Sequence, residues 1–539
     1  MISTLPRRPD EFKKLCRRCA EVQEEVLKDI LKRAAATDIG RRYDFATIGD
    51  SRSFRQRLPV STWKDYQGYA ERLQKGETDI LFEGRPPYFV CTSGTTGKLK
   101  IVPESETGRR LKALTTRLRI EAIQARVPEI RQGKLLPLVN HAVEGHTEAG
   151  IAYGSASGIA LATAAEQLRR RVAFPPAILD LDYGGSGDYL LMRFAVAEDV
   201  RLISCNNAAR LAQLLETARE HADRLIRGIE RGSLEAPEDL PAATADRLQA
   251  QLRPDPERAA QLRRAAKRLG AFRPEVYWPE LKVVSCWLAG SVGRYLESLR
   301  PWLSAGVEFF DVGYGATEGK FNLPLEPGRA AGPLTIYAGF YEFRDPQSGR
   351  IRLAHQVEEG RSYELLITNY AGLYRYDIGD IVRVEGFVGS APEIVFEQKS
   401  GEQLNLCGEK VAAAALVPLV EKAARQICGR PARHWCVVPD QKDNRYIICL
   451  EPGAPVSDPA AAAVRLAARL EELLRENTLI YPVFRDQGLL RSLQVVLMDQ
   501  GWQEELYRQR TGPGRSRAQI KLPLVADAIP AAEFAESGA

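Results

Sequence analysis

The sequence predicts an α/β fold: a large N-terminal domain over residues 1–398, with β-sheets flanked by helices, and a small α+β domain over residues 399–539. Three observations predict it. Short apolar runs at 134–139 (KLLPLV), 177–181 (AILDL), 281–290 (LKVVSCWLAG) and 307–315 (VEFFDVGYG) read as buried strands separated by helical stretches. From about 334 to 397 the chain is β-rich, with TIYAGFYEFR, YELLITNY, DIVRVEGF and EIVFEQ alternating with turns. Beyond Lys399 the rhythm changes to shorter strands around a single long helix.

Taken in order, residues 9–36 form a helix in which Phe12, Leu15, Cys19, Val22 and Val26 share one face. Residues 53–76 are helix and loop, punctuated by Pro59. The segment 86–103 (PPYFVCTSGTTGKLKIVP) is strand, loop, strand, because β-branched and aromatic runs enclose a Gly/Ser/Thr stretch. Residues 105–130 are helical. Between Ala208 and Leu269 the pattern is again helical, with Leu211, Leu214, Leu215, Ala218, Ala222, Leu225 and Ile229 on one face. Its many charges are a solvated helix surface rather than a binding stripe. Gly184 to Asp188 is a turn. In the C-terminal part, RHWCVVP (433–439), RYIICLE (445–451) and SLQVVLM (492–498) are strands. The helix between them opens at Asp458-Pro459, a cap followed by proline at the first helical position. The tail from Ala526 is loose.

Composition excludes several classes of function. The 539 residues are 45% hydrophobic and 27% charged, which is ordinary for a globular protein. A net charge of +5 is too thin a surplus to argue for nucleic acid or an anionic membrane. No apolar run reaches 18 residues, and MISTLPRRPDEFKKL lacks the apolar core of a secretory signal. A soluble, cytoplasmic monomer is expected, with neither a membrane nor a nucleic-acid partner. The nine cysteines are scattered and flanked by apolar residues, so reduced buried thiols are expected. Cys16 and Cys19 have metal-ligand spacing, but no second Cys or His pair lies nearby.

Chemistry concentrates in four segments. In Thr92-Ser93-Gly94-Thr95-Thr96-Gly97-Lys98-Leu99-Lys100, backbone N–H groups, hydroxyls and lysines can wrap a polyphosphate. It is not a Walker A loop, since two residues separate its glycines and Leu99 stands where a Ser or Thr would hold Mg²⁺. Tyr314-Gly315-Ala316-Thr317-Glu318-Gly319 follows an apolar strand and offers a hydroxyl and a carboxylate at a turn, groups suited to a phosphate oxygen and a hard cation. Tyr374-Arg375-Tyr376-Asp377-Ile378-Gly379-Asp380 ends on an acid placed to meet ribose hydroxyls. Gly512 to Lys521 is a glycine-rich loop leading to one lysine.

In order and spacing these segments resemble the adenylate-forming superfamily of acyl-CoA synthetases and luciferases. Within it they are most similar to the Gretchen Hagen family of acyl-acid amido synthetases, first known from auxin-responsive plants and also present in bacteria. A bacterial-type member is expected. The phosphate loop matches an SSGTSxGKxK-like motif, Tyr314–Glu318 a YxS(S/T)E motif and Tyr374–Asp380 a YRxGD-like motif. Thr37–Gly40, Phe54–Val60 through Glu77, Asn405–Lys410 and Gln519–Lys521 extend the resemblance from about residue 9 to 525. Two positions depart from the pattern: Lys399 stands where an Arg is usual, and Ala316 where a Ser is.

The resemblance implies a large adenylation domain, a small mobile C-terminal domain and two half-reactions. A carboxylate attacks the α-phosphate of Mg·ATP to give an acyl-adenylate and pyrophosphate; an amine, usually of an amino acid, then displaces AMP. It implies that Thr92, Ser93, Thr95, Thr96 and Lys98 hold phosphates, Tyr314, Gly315 and Ala316 line the nucleotide, and Thr317 meets the α-phosphate. Glu318 takes Mg²⁺, Asp380 the ribose, and Ser291, with Ala289 and Gly290, lies along adenine. Lys399 marks the hinge, while Lys410 and Lys521 are charges delivered by the mobile domain. Glu144–Gly154 lies in the region of the acyl pocket, where His146 reads as structural or solvent-facing rather than as a base. An acyl-CoA ligase and a silent nucleotide-binding regulator stay open as alternatives.

Overall fold

The computed structural model describes residues 5–93, 99–181, 186–206, 208–235, 240–289, 296–400, 403–404, 406, 411–478, 481–510, 522–526 and 528–529. The chain divides into two compact units, one of residues 1–378 and 382–396, the other of residues 379–381 and 397–539. The large unit is α/β with mixed sheets flanked by helices, and the smaller one is α+β.

Three sheets carry the large unit. One is parallel throughout, with strands Lys134–Leu138, Val200–Cys205, Val283–Cys286 and Glu308–Asp311 side by side in chain order. Helices between these strands, including Ala208–Glu220 and Ala222–Arg231, cover it and bury Leu211, Leu214, Leu215 and Leu225. That layering follows from apolar runs too short to alternate faces, connected by amphipathic helices. A second, mixed sheet orders Leu99–Glu104, Tyr88–Ser93, Ala152–Gly154 and Gly145–His146. The third has six strands, among them Gly339–Arg344, Ser362–Asn369, Tyr376–Val388 and Ala391–Lys399. The N-terminal helices Pro9–Leu15 and Cys19–Ala34 pack on it through Phe12, Val22, Val26 and Ile30. Gln23, itself buried, locks that contact by donating to the carbonyls of Ile336 and Gly339 at 2.7 Å and accepting from Tyr341 N at 2.8 Å.

The smaller unit pairs His434–Asp440 with Arg445–Glu451 antiparallel and the latter with Gln494–Leu497 parallel. A parallel neighbour requires a long crossover, which helix Pro459–Asn477 supplies. Asp458 caps that helix by accepting from Ala461 N at 3.0 Å.

Expectation and structure differ in two places. Residues 177–181 form no strand: Pro176–Asp180 is a 3₁₀ turn that inserts Ala177 and Ile178 into the helical core. Pro175-Pro176 removes two backbone donors where a strand would start, and a short apolar run serves a buried turn as readily. Strand Val200–Cys205, second in the parallel sheet, is not expected from the sequence, because Asp199 and Arg201 dilute its apolar pattern. Among the described residues no helix is long and apolar enough to cross a membrane. Cys16 and Cys19 are fully buried, and burial pushes both thiols up to about 12.

Candidate functional site

Strands Tyr88–Ser93 and Leu99–Glu104 form an antiparallel hairpin with Ser93 opposite Leu99 and Thr92 opposite Lys100. The expected phosphate loop is the connection of that hairpin. Thr92 and Ser93 end the first strand; Thr95, Thr96 and Lys98 lie outside the described residues, as do Ser291, Lys410 and Lys521. Strands Val283–Cys286 and Glu308–Asp311 are adjacent and parallel, so the segments that follow them leave the same edge of the sheet. Ligands of open parallel sheets gather at such an edge. Asp311 ties the two segments together, accepting from Leu288 N at 2.7 Å and from Gly313 N at 2.6 Å. It is 3% exposed, and burial raises its carboxyl to about 6.

Beyond Asp311 the chain makes a tight two-stranded hairpin, Gly315–Ala316 against Gly319–Lys320, with Thr317 and Glu318 at its tip. Both glycines lie close under neighbouring side chains. A Cβ on Gly315 would sit 2.8 Å from Lys320 Cδ, and one on Gly319 would sit 2.7 Å from the Phe321 ring. The tip is held at its carbonyls: Lys112 Nζ donates to Thr317 O at 2.8 Å and Asn369 Nδ2 to Glu318 O at 2.9 Å. Glu318, 7% exposed, is ion-paired with Lys100. Lys100 also donates to the Tyr376 hydroxyl at 2.7 Å and lies 4.6 Å from the Trp63 ring centroid and 5.0 Å from that of Tyr376. The Tyr376 hydroxyl donates to Glu318 at 3.4 Å. Tyr314 packs its ring against Phe321 and Phe396, with centroids 4.9 and 5.4 Å apart.

The third motif distributes its side chains by strand alternation. Arg375 takes a left-handed φ of 48° and turns inward to a two-pronged pair with Glu342, both bonds 2.9 Å, so it is a structural residue. Tyr376 reaches the Lys100–Glu318 pair, and Asp377 pairs with Arg344. Asp380 and Lys399 belong to the smaller unit, where Asp380 is 2% exposed and ion-paired with Lys399. The lysine presents a compact charge there, without the planar fork of the usual arginine.

Next to the Thr317–Glu318 hairpin, helix Glu106–Arg126 borders a small cleft whose lining includes Glu104, Lys112, Glu318, Lys320, Phe321 and Tyr341. Lys112 is ion-paired with Glu104. Arg119 donates to Ser285 Oγ at 2.5 Å, and its burial brings its pKa down to about 10. Lys320 is held down to about 8, first by burial and then by the neighbouring Arg119 and Lys112. Sequence reasoning did not single out Lys100, Lys112, Asp311, Lys320 or Tyr376. Lys100 and Tyr376 lie inside the quoted motifs, Lys100 opposite Thr92 across the hairpin and Tyr376 on the same strand as Asp380.

Comparison with known proteins gives three family matches: the GH3 family N-terminal domain over residues 8–306, its central domain over 332–399 and its C-terminal domain over 415–528. The chain is 27% identical to the indole-3-acetic acid-amido synthetase GH3.8 of Oryza sativa subsp. indica, covering 96% of this chain and 90% of the relative. It is 26% identical to the jasmonoyl–L-amino acid synthetase JAR6 of Nicotiana attenuata, covering 78% and 76%. Both are plant proteins. In fold the chain is similar to the GH3.15 acyl acid amido synthetase, with a TM-score of 0.81 at 20% identity over 96% and 93% of the two chains. It is also similar to a 2-hydroxyisobutyryl-CoA ligase in its postadenylation state, with a TM-score of 0.53 at 13% identity over 96% and 88%. With matches running through all three of its segments, the chain belongs to the GH3 family, the Gretchen Hagen family that its motifs resemble.

Proposed function

We propose that this chain is an ATP-dependent acyl-acid amido synthetase. It adenylates a small carboxylic acid, releasing pyrophosphate, and passes the acyl group to the amine of an amino acid, releasing AMP. The observation that carries this reading is family membership along the whole chain, together with relatives that are amide-forming synthetases over most of their length. The acid is already ionised at neutral pH, so the first step needs no base. It needs positioning and cancellation of phosphate charge.

In this reading Thr92, Ser93, Thr95, Thr96 and Lys98 cradle the phosphates, and Thr317 meets the α-phosphate. Tyr314, Gly315, Ala316 and Ser291 border the nucleotide, and Asp380 takes the ribose. The small domain turns about Lys399 and Ser400 between half-reactions, bringing Lys410 and Lys521 to the phosphates for adenylation. Among the described residues no group of three or more His, Cys, Asp or Glu could form a metal cage. Mg²⁺ that arrives on ATP keeps its waters and the phosphate oxygens and needs only one or two carboxylates. The buried Glu318 fits that need, and the ion would neutralise phosphate charge there. The enzyme in this reading is cytoplasmic and monomeric.

A second reading, acyl-CoA ligase, is favoured by the fold likeness to the 2-hydroxyisobutyryl-CoA ligase. One experiment separates the two. A pyrophosphate-exchange screen over carboxylic acids finds the acid, which is then supplied with ATP, Mg²⁺ and either an amino-acid pool or CoA. The amido synthetase reading expects amide products by mass spectrometry and AMP release that depends on amino acid. Thioester with CoA and no amide from any amino acid overturns it.

A further inference from the structure

We propose that Lys100 is a stand-in cation on Glu318, seated there by Trp63 and Tyr376, and that it yields the carboxylate when Mg·ATP binds. Trp63, which holds the lysine in its seat, thereby sets how much Mg²⁺ the enzyme needs. The proposal rests on the reading that Glu318 takes the Mg²⁺ of ATP.

The seat is assembled from separate stretches of chain. Trp63 opens helix Trp63–Gln74, Lys100 lies on strand Leu99–Glu104, Glu318 at the tip of the Gly315–Lys320 hairpin and Tyr376 at the start of strand Tyr376–Val388. The ammonium is ion-paired with Glu318 and donates to the Tyr376 hydroxyl at 2.7 Å. It lies 4.6 Å from the Trp63 ring centroid and 5.0 Å from that of Tyr376. A cation between a carboxylate and aromatic faces is held by ion pairing and by the ring quadrupoles together. Only 19% of the lysine side chain is exposed, so solvent screens the pair weakly.

The carboxylate can change partners without disturbing the turn that carries it. The tip is anchored through its backbone, by Lys112 on the carbonyl of Thr317 at 2.8 Å and by Asn369 on that of Glu318 at 2.9 Å. The hairpin therefore keeps its shape when Lys100 leaves. An ammonium and a divalent ion on one buried carboxylate repel each other, so the two occupy it in turn. Lys100 belongs to the phosphate hairpin, opposite Thr92, so an ammonium leaving Glu318 stays beside the segment expected to hold the phosphates. Phosphate oxygens there replace the carboxylate it gives up. Trp63 acts through the lysine: its ring weights the balance toward the ion pair, and weakening that contact favours the metal.

The test uses the full-length enzyme and α,β-methylene-ATP, which cannot release pyrophosphate, bound calorimetrically at a series of Mg²⁺ concentrations. The readout is the Mg²⁺ concentration that gives half of the maximal gain in affinity for the analogue. Trp63→Leu should lower it by about two- to fivefold, the range of an exposed cation–π contact. Trp63→Phe, which keeps a ring face, should lie between Trp63→Leu and wild type. Lys100→Met should lower it by about tenfold, the scale of one charge-assisted hydrogen bond. Glu318→Gln should shift it the opposite way, upward. A purely structural Trp63 would lose stability on substitution and leave the Mg²⁺ requirement where it is. An unchanged or raised requirement in Trp63→Leu, with Glu318→Gln still raising it, overturns the exchange alone. A requirement that Glu318→Gln leaves unchanged overturns the metal role of Glu318 and the exchange with it.

Discussion

Replacing Lys100 by Met removes the cation that Glu318 is paired with, and the two positions should prove strongly coupled. The carboxylate is 7% exposed and the lysine side chain 19%, so the pair is desolvated enough that breaking it from one side costs about 3 kcal/mol. The lysine also loses its hydrogen bond to Tyr376 at 2.7 Å and its place over the Trp63 ring at 4.6 Å, for about 1 kcal/mol more. Lys100→Met should therefore destabilise the large unit by about 4 kcal/mol. Glu318→Gln keeps an amide oxygen facing the ammonium and should cost about 1–2 kcal/mol. In the double variant no charge is stranded, and the total should fall short of the sum by about 2 kcal/mol. The assay is urea unfolding of wild type, both single variants and the double variant. Trp63, beside the pair, serves as a local fluorescence reporter of the same transition. Additivity within about 0.5 kcal/mol would refute the claim that Lys100 and Glu318 act as one unit.

Other outcomes are as specific. Lys521→Ala should slow adenylate formation by roughly 10²–10³-fold, the scale of one preorganised charge-stabilising donor; presupplied acyl-adenylate should still form amide at near the normal rate. Equal losses in both half-reactions would remove the swinging-domain role. Glu318→Gln should raise the Mg²⁺ concentration needed for exchange while AMP binding, measured calorimetrically, stays put; Asp380→Ala should weaken ATP and AMP alike, and an effect on ATP only would move it off the ribose. Asp311, raised to about 6, binds its proton more tightly in the folded state than in the unfolded chain. Its contribution is therefore full below about pH 4 and is lost as pH rises through about 6, a change of about 3 kcal/mol. The stability difference between wild type and Asp311→Asn should shrink by that amount from pH 4 to pH 7, and a flat difference would contradict the burial argument.

Much of this molecule was legible along the chain because its elements announce themselves locally. Asp458-Pro459 marks a helix start by cap chemistry alone, and the β-branched and aromatic runs on either side of the Gly/Thr stretch mark two paired strands. What stayed hidden was of two kinds. Strand Val200–Cys205 borrows its stability from neighbours on both sides, so its own residues need not advertise it. The pairing of Lys100 with Glu318 and Tyr376 joins residues 218 and 276 positions apart. Only the meeting of three separate sheets creates it, and no window of sequence contains that information. Lys320 is the same case: its lowered pKa comes from burial and from Arg119 and Lys112 beside it, neighbours that no window of sequence reveals.

The pair of hydrogen bonds accepted by Asp311 has a consequence for how such an enzyme can change over generations. One oxygen grips the segment after Val283–Cys286 and the other grips the segment that leads into the Thr317–Glu318 hairpin. The two stretches of chain are thereby one mechanical part, although they belong to different loops. A substitution that displaces either will be felt at the other, so the fitness effect of a change near Leu288 should depend on which residues stand near Gly313. Drift in these loops should then proceed by paired replacements rather than single ones. Attempts to alter nucleotide preference one residue at a time should stall where combined libraries of both loops succeed.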